Sequence, residues 1–350
     1  MTYKARLLAC AAVLSLAGAG CLGGGGGATT ADGGLWQSVD SGNSWTQLTA
    51  LPGPTSIGSI ANVDVISLTI DPSDSTVYYA GTSADGLLYS YDSGASWARP
   101  ENTDLRSGKV VSVAVDPRDV CTYYVLKTDR VMKTTTCGRT FTADTYTETR
   151  TDETLTSMVM DWYAPDSLYI TSTAGDVIAT KDGGKNWATV ERLNDQMKSV
   201  MVSNADSRIL LAGTRRHGIA RSVDGGVTWT TDKTINTKYA NADYFLGFAQ
   251  TADGKTLYMS SNYGLLVSTD LGATWADVPL ITAHGEVPIL ALAVDPANGQ
   301  NVMYGTSNTF YRSSNGGTAW ATKQLPSSRQ AAMLTMNGTS ILLGLTQPKK

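Results

Sequence analysis

Residue types that carry acid–base, thiol or metal chemistry are scarce in this chain of 350 residues. It has two histidines, His217 and His284, and neither has a partner at metal-ligand spacing. Of the four cysteines, Cys21 follows an N-terminal apolar run, while Cys121 and Cys137 are expected to pair, so a thiol nucleophile is not expected. We therefore predict no catalytic residue, no metal site and no cofactor.

The strongest candidate for ligand binding is the tripeptide Arg215, Arg216 and His217. Two adjacent guanidinium groups in an acidic protein would hold a carboxylate, a phosphate or an acidic peptide segment. The alternative is a solvated turn, or a turn whose cations pair with nearby acids such as Asp243. Further cations in other connections would extend a basic patch: Arg106, Lys109, Arg130 and Arg150.

Aromatic residues form a second group of candidates. Tyr239, Tyr244 and Tyr263 would supply a stacking surface for a sugar or a peptide, although tyrosines in strands commonly serve packing. Trp36 and Trp162 lie in or beside expected strands, which favours a place in the core.

A repeated turn must position these candidates, because the pattern Ser-x-Asp-x-Gly-x-x-Trp recurs along the chain. The seven copies are SVDSGNSW (38–45), SYDSGASW (90–97), TTTCGRTF (134–141), TKDGGKNW (180–187), SVDGGVTW (222–229), STDLGATW (268–275) and SSNGGTAW (313–320). Their closing aromatic residues are 52, 44, 46, 42, 46 and 45 positions apart, a period typical of four-stranded propeller blades.

Within each copy, the carboxylate is expected to accept backbone N–H groups of its own turn. The glycine supplies a positive φ and the tryptophan anchors the turn against a neighbouring blade. The residues with this structural role are Asp40, Trp45, Asp92, Trp97, Asp182, Trp187, Asp224, Trp229, Asp270, Trp275, Asn315 and Trp320.

Strand patterns complete the fold. First strands of the blades are expected at 65–71, 110–116, 155–161, 197–203, 244–250, 289–295 and 330–336. They are apolar runs, which indicates burial on both faces. The chain begins with a third and a fourth strand and ends with a first and a second. We therefore predict an all-β fold: a seven-bladed β-propeller of four-stranded antiparallel blades over residues 33–348, closed two-plus-two by the two ends.

The two faces of such a ring differ. The box turns and the turns between first and second strands share one face, here called the box face. The opposite face, here called the loop face, carries the turns between second and third strands and the connections between blades. The longer connections are expected there, at 49–64, 98–109, 142–154, 231–243 and 276–288. Recognition commonly uses loops on a rigid scaffold, so a ligand is expected on the loop face.

The N-terminus has the pattern of a secretion signal. Lys4 and Arg6 precede an apolar run that ends at Gly20, too short to span a bilayer. Residues 1–20 are therefore expected to be cleaved, and 21–32 to form a glycine-rich tether. Cys21 is expected to be lipidated, although a plain secretory signal is the alternative. The protein would then lie in a bacterial cell envelope, held to the membrane only by its lipid, or be secreted.

Cleavage would leave 25 basic against 31 acidic residues, a net charge of −6 that argues against nucleic acid as a partner. The paired Cys121 and Cys137 fit an oxidising compartment. Cys121 opens a second strand and Cys137 lies in the box turn beyond the third, so antiparallel pairing brings them together. This is also the degenerate box, with Thr136 in place of Asp and Phe141 in place of Trp.

These boxes resemble the Asp-box (BNR) repeats of sialidases, sortilin ectodomains, xyloglucan-active glycosidases and the photosystem II stability/assembly factor family. The segment DPSDSTVYYAGTSADGLLYSYDSGASW (71–97) most resembles assembly-factor and sortilin-type repeats. The resemblance implies a non-enzymatic, monomeric protein that binds a protein or peptide, aiding assembly of an envelope or membrane complex. The alternatives are a carbohydrate-binding protein or glycosidase, and a surface repeat protein without a small ligand.

Overall fold

The computed structural model describes residues 31–348, apart from Ala143 and Lys233. The expected signal, the lipidation site Cys21 and most of the tether lie outside these residues. The described chain forms a seven-bladed β-propeller, which confirms the predicted fold. Neighbouring first strands contact one another around a central channel, and each blade extends outward from there.

Six blades follow chain order. Blade 1 comprises Val65–Ile70, Tyr78–Thr82 and Leu87–Ser90; blade 2, Val110–Val115, Tyr123–Lys127, Arg130–Thr134 and Tyr146–Thr147; blade 3, Leu155–Met160, Leu168–Ser172, Asp176–Thr180 and Ala188–Arg192. Blade 4 comprises Met197–Val202, Leu210–Thr214, Ile219–Ser222 and Thr230–Thr231; blade 5, Phe245–Gln250, Leu257–Ser261, Leu265–Ser268 and Ala276–Asp277; blade 6, Ala291–Asp295, Asn298–Gly305, Thr309–Ser313 and Ala321–Gln324.

The seventh blade, here called the closing blade, joins the two ends of the ring. Its strands are Gln330–Asn337, Ser340–Thr346, Leu35–Ser38 and Thr46–Leu48, from the channel outward. The N-terminal strand pairs antiparallel with the C-terminal one, with Leu35 opposite Gly344 and Ser38 opposite Ile341. The predicted two-plus-two closure is confirmed.

The connections contain three elements that the sequence patterns did not indicate. A hairpin of Ala50–Pro52 and Ile57–Ser59 lies between the closing blade and blade 1. A 3-10 turn spans Thr103–Leu105 and a short helix spans Ile235–Lys238. In blade 1 the fourth strand is reduced to one bridge between Tyr89 and Ala98. Across the described residues, no helix is both long and apolar enough to cross a bilayer.

The expected burial on both faces holds for residues 113–115 and 200–202 but not along the whole of the first strands. In Val65–Ile70 only Val65 is buried, whereas every residue of the second strands Leu168–Ser172 and Leu210–Thr214 is buried. The reason is that the first strands line a channel cavity of about 490 Å³, where Ile66 and Leu246 are among the lining residues. The core therefore lies between blades, around the second strands.

The box turns are closed by their own polar side chains. In blade 4, Asp224 Oδ1 accepts hydrogen bonds from Ser222 Oγ at 2.8 Å and from the Thr228 backbone N–H at 2.9 Å. Hydrogen bonds from Thr228 chiefly hold the pKa of Asp224 at about 2. Gly226 has φ 83° and its amide donates to Ser222 Oγ at 2.9 Å. The same pattern recurs at Asp40, Asp92, Asp182, Asp270 and, with an amide, at Asn315.

Box tryptophans lie against the preceding blade. Trp97 Nε1 donates to Leu48 O of the closing blade at 3.0 Å, and Trp320 Nε1 donates to Pro279 O beyond blade 5 at 2.8 Å. Trp45 meets Phe310 of blade 6 edge to face, with ring centroids 5.5 Å apart. Each box turn therefore joins two blades.

The degenerate box of blade 2 carries the predicted disulfide between Cys121 and Cys137, which is confirmed. Thr136 Oγ1 takes the place of the carboxylate and accepts from the Thr140 amide at 2.9 Å. Phe141 packs edge to face on Tyr123. A hydroxyl and a smaller ring thus keep the turn closed with fewer contacts, and the disulfide adds a covalent link.

Candidate functional site on the loop face between blades 3 and 4

The turn that carries Arg215, Arg216 and His217 connects the second and third strands of blade 4. Thr214 Oγ1 closes it by accepting from the His217 amide at 2.9 Å and donating to Gly218 O at 3.0 Å. Gly218 has φ 72°, and a Cβ there would lie 3.1 Å from Ile235 Cγ2. The turn is therefore rigid, while all three side chains remain exposed.

An acid from the connection between blades 3 and 4 supports this turn. Asp195 Oδ2 accepts from the Arg216 backbone N–H at 2.6 Å and lies 3.0 Å from His217 Nδ1. Burial would raise the pKa of Asp195, but the hydrogen bonds from Arg216 and His217 outweigh it and lower the pKa. The alternative expectation, that the cations of this turn pair with Asp243, is wrong, because the acid beside His217 is Asp195. Asp243 contacts the turn through its backbone oxygen, which accepts from Gly218 N at 2.8 Å.

The two arginines differ in their contacts. Arg215 Nη1 donates to Gln196 Oε1 at 3.0 Å. The Arg216 guanidinium makes no hydrogen bond or ion pair with any residue that the structure describes. Arg216 therefore presents five donors to whatever approaches the loop face.

Arg216 also separates two neighbouring cavities. Cavity A, of about 440 Å³, is lined by Glu153, Thr173, Asp195, Gln196, Arg215 and Arg216 among others. Cavity B, of about 350 Å³, is lined by Leu193, Asp232, Ile235, Asp243, Arg216 and His217 among others. The Arg216 side chain, which has no partner in the part of the chain that the structure describes, thus lines both cavities.

Arg150 belongs to the connection between blades 2 and 3 on the same face, but it already forms ion pairs with Glu148 and Asp176. Its Nη2 is 2.7 Å from both Glu148 Oε2 and Asp176 Oδ2, so these carboxylate oxygens are at most about 5.4 Å apart. Arg192 Nε holds Asp176 Oδ1 at 2.6 Å. The spacing suits a retaining glycosidase, yet both carboxylates are buried and ion-paired. Hydrogen bonds from Arg150 lower the pKa of Glu148, which makes it a poor proton donor near neutral pH.

The other predicted cations line neither cavity. Arg106 is exposed and its Nε donates to Pro100 O at 2.7 Å. Lys109 is exposed just before the first strand of blade 2. Arg130 forms ion pairs with Asp129 at 2.8 Å and Asp144 at 3.0 Å.

The predicted aromatic residues also differ in how far they are engaged within the protein. Tyr239 is buried and its hydroxyl donates to Trp275 O at 2.9 Å. Tyr263 stacks on His284 with ring centroids 4.2 Å apart, and burial, with Asp277 nearby, raises its pKa to about 12.

Tyr244 is 38% exposed and lines a separate cavity of about 490 Å³ with Asn241 and Asn262. Trp36 is partly buried as expected, whereas Trp162 is 46% exposed on the box face.

Sequence reasoning missed Asp195, Glu153 and Ile235 as parts of the site. All three lie in connections that lead into first strands, which by topology reach the loop face beside the turns between second and third strands. Their position in these connections could have been read from the sequence pattern. Which of these residues contacts Arg216 or His217 depends on which neighbouring turns meet.

No family model matches this chain. No curated protein matches it either. Solved structures do match. YCF48 from Cyanidioschyzon merolae aligns with TM-score 0.60 and 14% identity, covering 85% of this chain and 98% of that one. YCF48 bound to D1 peptide aligns with TM-score 0.58 and 16% identity, over 82% and 94%. The GH74 xyloglucanase from Xanthomonas campestris aligns with TM-score 0.63 and 17% identity, over 81% and 51%.

This chain therefore spans about half the length of that hydrolase and nearly the whole of the YCF48 chains. Identities of this size show a shared fold and no more, because one fold hosts many activities. On fold, the chain is a seven-bladed β-propeller like those of YCF48 and the GH74 enzymes.

Proposed function

We propose that this protein is a non-enzymatic, exported β-propeller that binds a protein or peptide partner on its loop face and so aids assembly of an envelope or membrane complex. The binding site is the turn of Arg215, Arg216 and His217 with cavities A and B. Lipidation at Cys21 would hold the propeller at a membrane surface.

One observation carries the proposal: the exposed Arg216 guanidinium, without a partner among the described residues, on the rim shared by two cavities. An arginine in such a place is typical of binding surfaces, where its guanidinium group donates hydrogen bonds to the carboxylates of a partner. Asp195 supports the role because it fixes the backbone of the turn and leaves the Arg216 side chain free.

Two further findings favour this class of function. A propeller of the same fold, YCF48, has been solved with a bound peptide. The disulfide between Cys121 and Cys137 favours export, since such bonds persist in oxidising compartments.

Carbohydrate binding is the second candidate. Tyr244 lines its open cavity beside Asn241 and Asn262, and an exposed ring beside side-chain amides suits a sugar. Binding of xyloglucan oligosaccharides, abolished by Tyr244→Ala and kept by Arg215→Ala/Arg216→Ala, would favour this function.

The test is affinity capture with the purified protein from extracts of the host's cell envelope. Arg215→Ala/Arg216→Ala should lose the captured protein. Arg208→Ala/Lys255→Ala, which removes the same charge from the box face, should keep it, because both side chains are exposed there. Synthetic peptides that cover the captured protein would then be titrated against all three proteins. Equal capture by the two variants would reject the loop-face site.

A further inference from the structure

Cavity B combines an apolar wall with an unmatched acid. Leu193 and the buried Ile235 supply the apolar part. Asp243 Oδ1 is buried and has no hydrogen-bond partner among the described residues. Such an acceptor has lost water without gaining a donor, so the Asp243 carboxylate favours a cation that enters the cavity.

The second acid of cavity B is held by its own turn. Asp232 Oδ1 accepts from Thr234 N and from Thr234 Oγ1, both at 2.8 Å. Asp243 differs because its buried Oδ1 has no donor among the described residues. A lysine side chain fits this arrangement, because its methylene stem packs on Leu193 and Ile235 while the ammonium group reaches the acid.

Cavity A has the opposite preference. Its two acids are engaged, Glu153 with Thr173 Oγ1 and Asp195 with the Arg216 amide and His217. The Arg216 guanidinium has no partner among the described residues, so it can bind an incoming carboxylate here.

In an extended peptide, side chains two residues apart point the same way and are about 7 Å from each other. Arg216 lines both cavities, so one short extended segment could place one side chain in each of them.

We propose that the site recognises an acidic residue and a lysine separated by one residue in an extended peptide, with the acid on Arg216 in cavity A and the lysine on Asp243 in cavity B. The inference rests on the proposed function and specifies its ligand class. It assigns Asp243 a binding role that the turn alone does not reveal.

The test is fluorescence anisotropy with the labelled, end-capped peptide Gly-Ser-Glu-Ala-Lys-Ser-Gly. Replacing its Glu by Gln or its Lys by Met should weaken binding to the wild-type protein about tenfold each, the size of one close charge pair. Asp243→Asn should weaken the Glu-Ala-Lys peptide about tenfold and leave the Lys-to-Met peptide unaffected. Arg216→Gln should weaken both peptides.

Asp253→Asn, which removes one carboxylate from the box face, is the matched control, and it should change neither affinity. The peptide substitutions test the same contact without altering the protein, so a poorly folded variant does not obscure the result.

Absence of binding by the Glu-Ala-Lys peptide overturns the inference, as does an equal loss of affinity with Asp253→Asn and Asp243→Asn. If envelope capture still depends on Arg215 and Arg216 in that case, the proposed function stands and this ligand class falls. If capture is equal for both double variants, the proposed function itself falls.

Discussion

Two arginines on the loop face, Arg329 and Arg216, show how the same side chain serves different ends. Arg329 is 1% exposed and lies at the junction of the closing blade and blade 1. Its guanidinium group contacts Asp32 at 3.1 Å, Asp64 and the Asn62 carbonyl oxygen. Arg216 is exposed and its side chain touches no described partner. Arg329 is a structural link because it is buried with two acids. Arg216 is available to a ligand because it is exposed beside two cavities.

The largest effect is expected at Arg329. Arg329→Met would leave Asp32 and Asp64 partly buried without their cation, and should lower the free energy of unfolding by about 3 kcal/mol. Urea denaturation measures it. Arg208→Met, at a side chain 75% exposed on the box face, should change the free energy by less than about 0.5 kcal/mol. Equal midpoints for the two variants would contradict the comparison.

Arg150 is the intermediate case, since it is 39% exposed but holds the buried Glu148 and Asp176. Arg150→Met should cost about 1–3 kcal/mol at pH 7. Because Arg150 lowers the pKa of Glu148 in the folded protein, its contribution is present above the unfolded pKa of about 4.3 and is lost as pH falls through the lowered value.

Denaturation curves at pH 7, 5 and 3 test this dependence. The difference in stability between the wild-type and Arg150→Met proteins should shrink as the pH falls from 5 to 3. A difference that stays constant from pH 7 to pH 3 would mean that Arg150 stabilises the fold by packing alone.

The smallest effect on stability belongs to Arg216. Arg216→Gln should shift the free energy of unfolding by no more than about 0.5 kcal/mol, because no described contact is lost. The same variant should abolish capture of the partner. A clear fall in the thermal midpoint would show that Arg216 is structural after all and remove the contrast with Arg329.

The fold could be predicted from sequence to a large extent because its signal is repeated. Seven box turns fixed the blade count, and the expected first strand at 110–116 is observed as Val110–Val115. The two-plus-two closure followed from which strands stood at the ends. Repetition made each local pattern corroborate the others.

The site was less accessible because it depends on contacts that do not repeat. Arg216 was identified as a candidate, but its freedom depends on Asp195 binding the backbone in place of the side chain. Arg130 and Arg150 looked equivalent to it in sequence, yet each lies beside acids that bind it. Such pairings are set by the packing of neighbouring turns, which residue type and spacing do not encode.

The shared closing blade has a consequence for how this chain is made. Leu35–Ser38 is synthesised some 300 positions before its partner Ser340–Thr346. Until Ser340–Thr346 emerges, Leu35–Ser38 has an unpaired edge and the ring stays open. Contacts over some 300 positions, such as Asp32 with Arg329, form late because bringing distant segments together is slow. Closure of the propeller therefore has to wait for the synthesis of Ser340–Thr346.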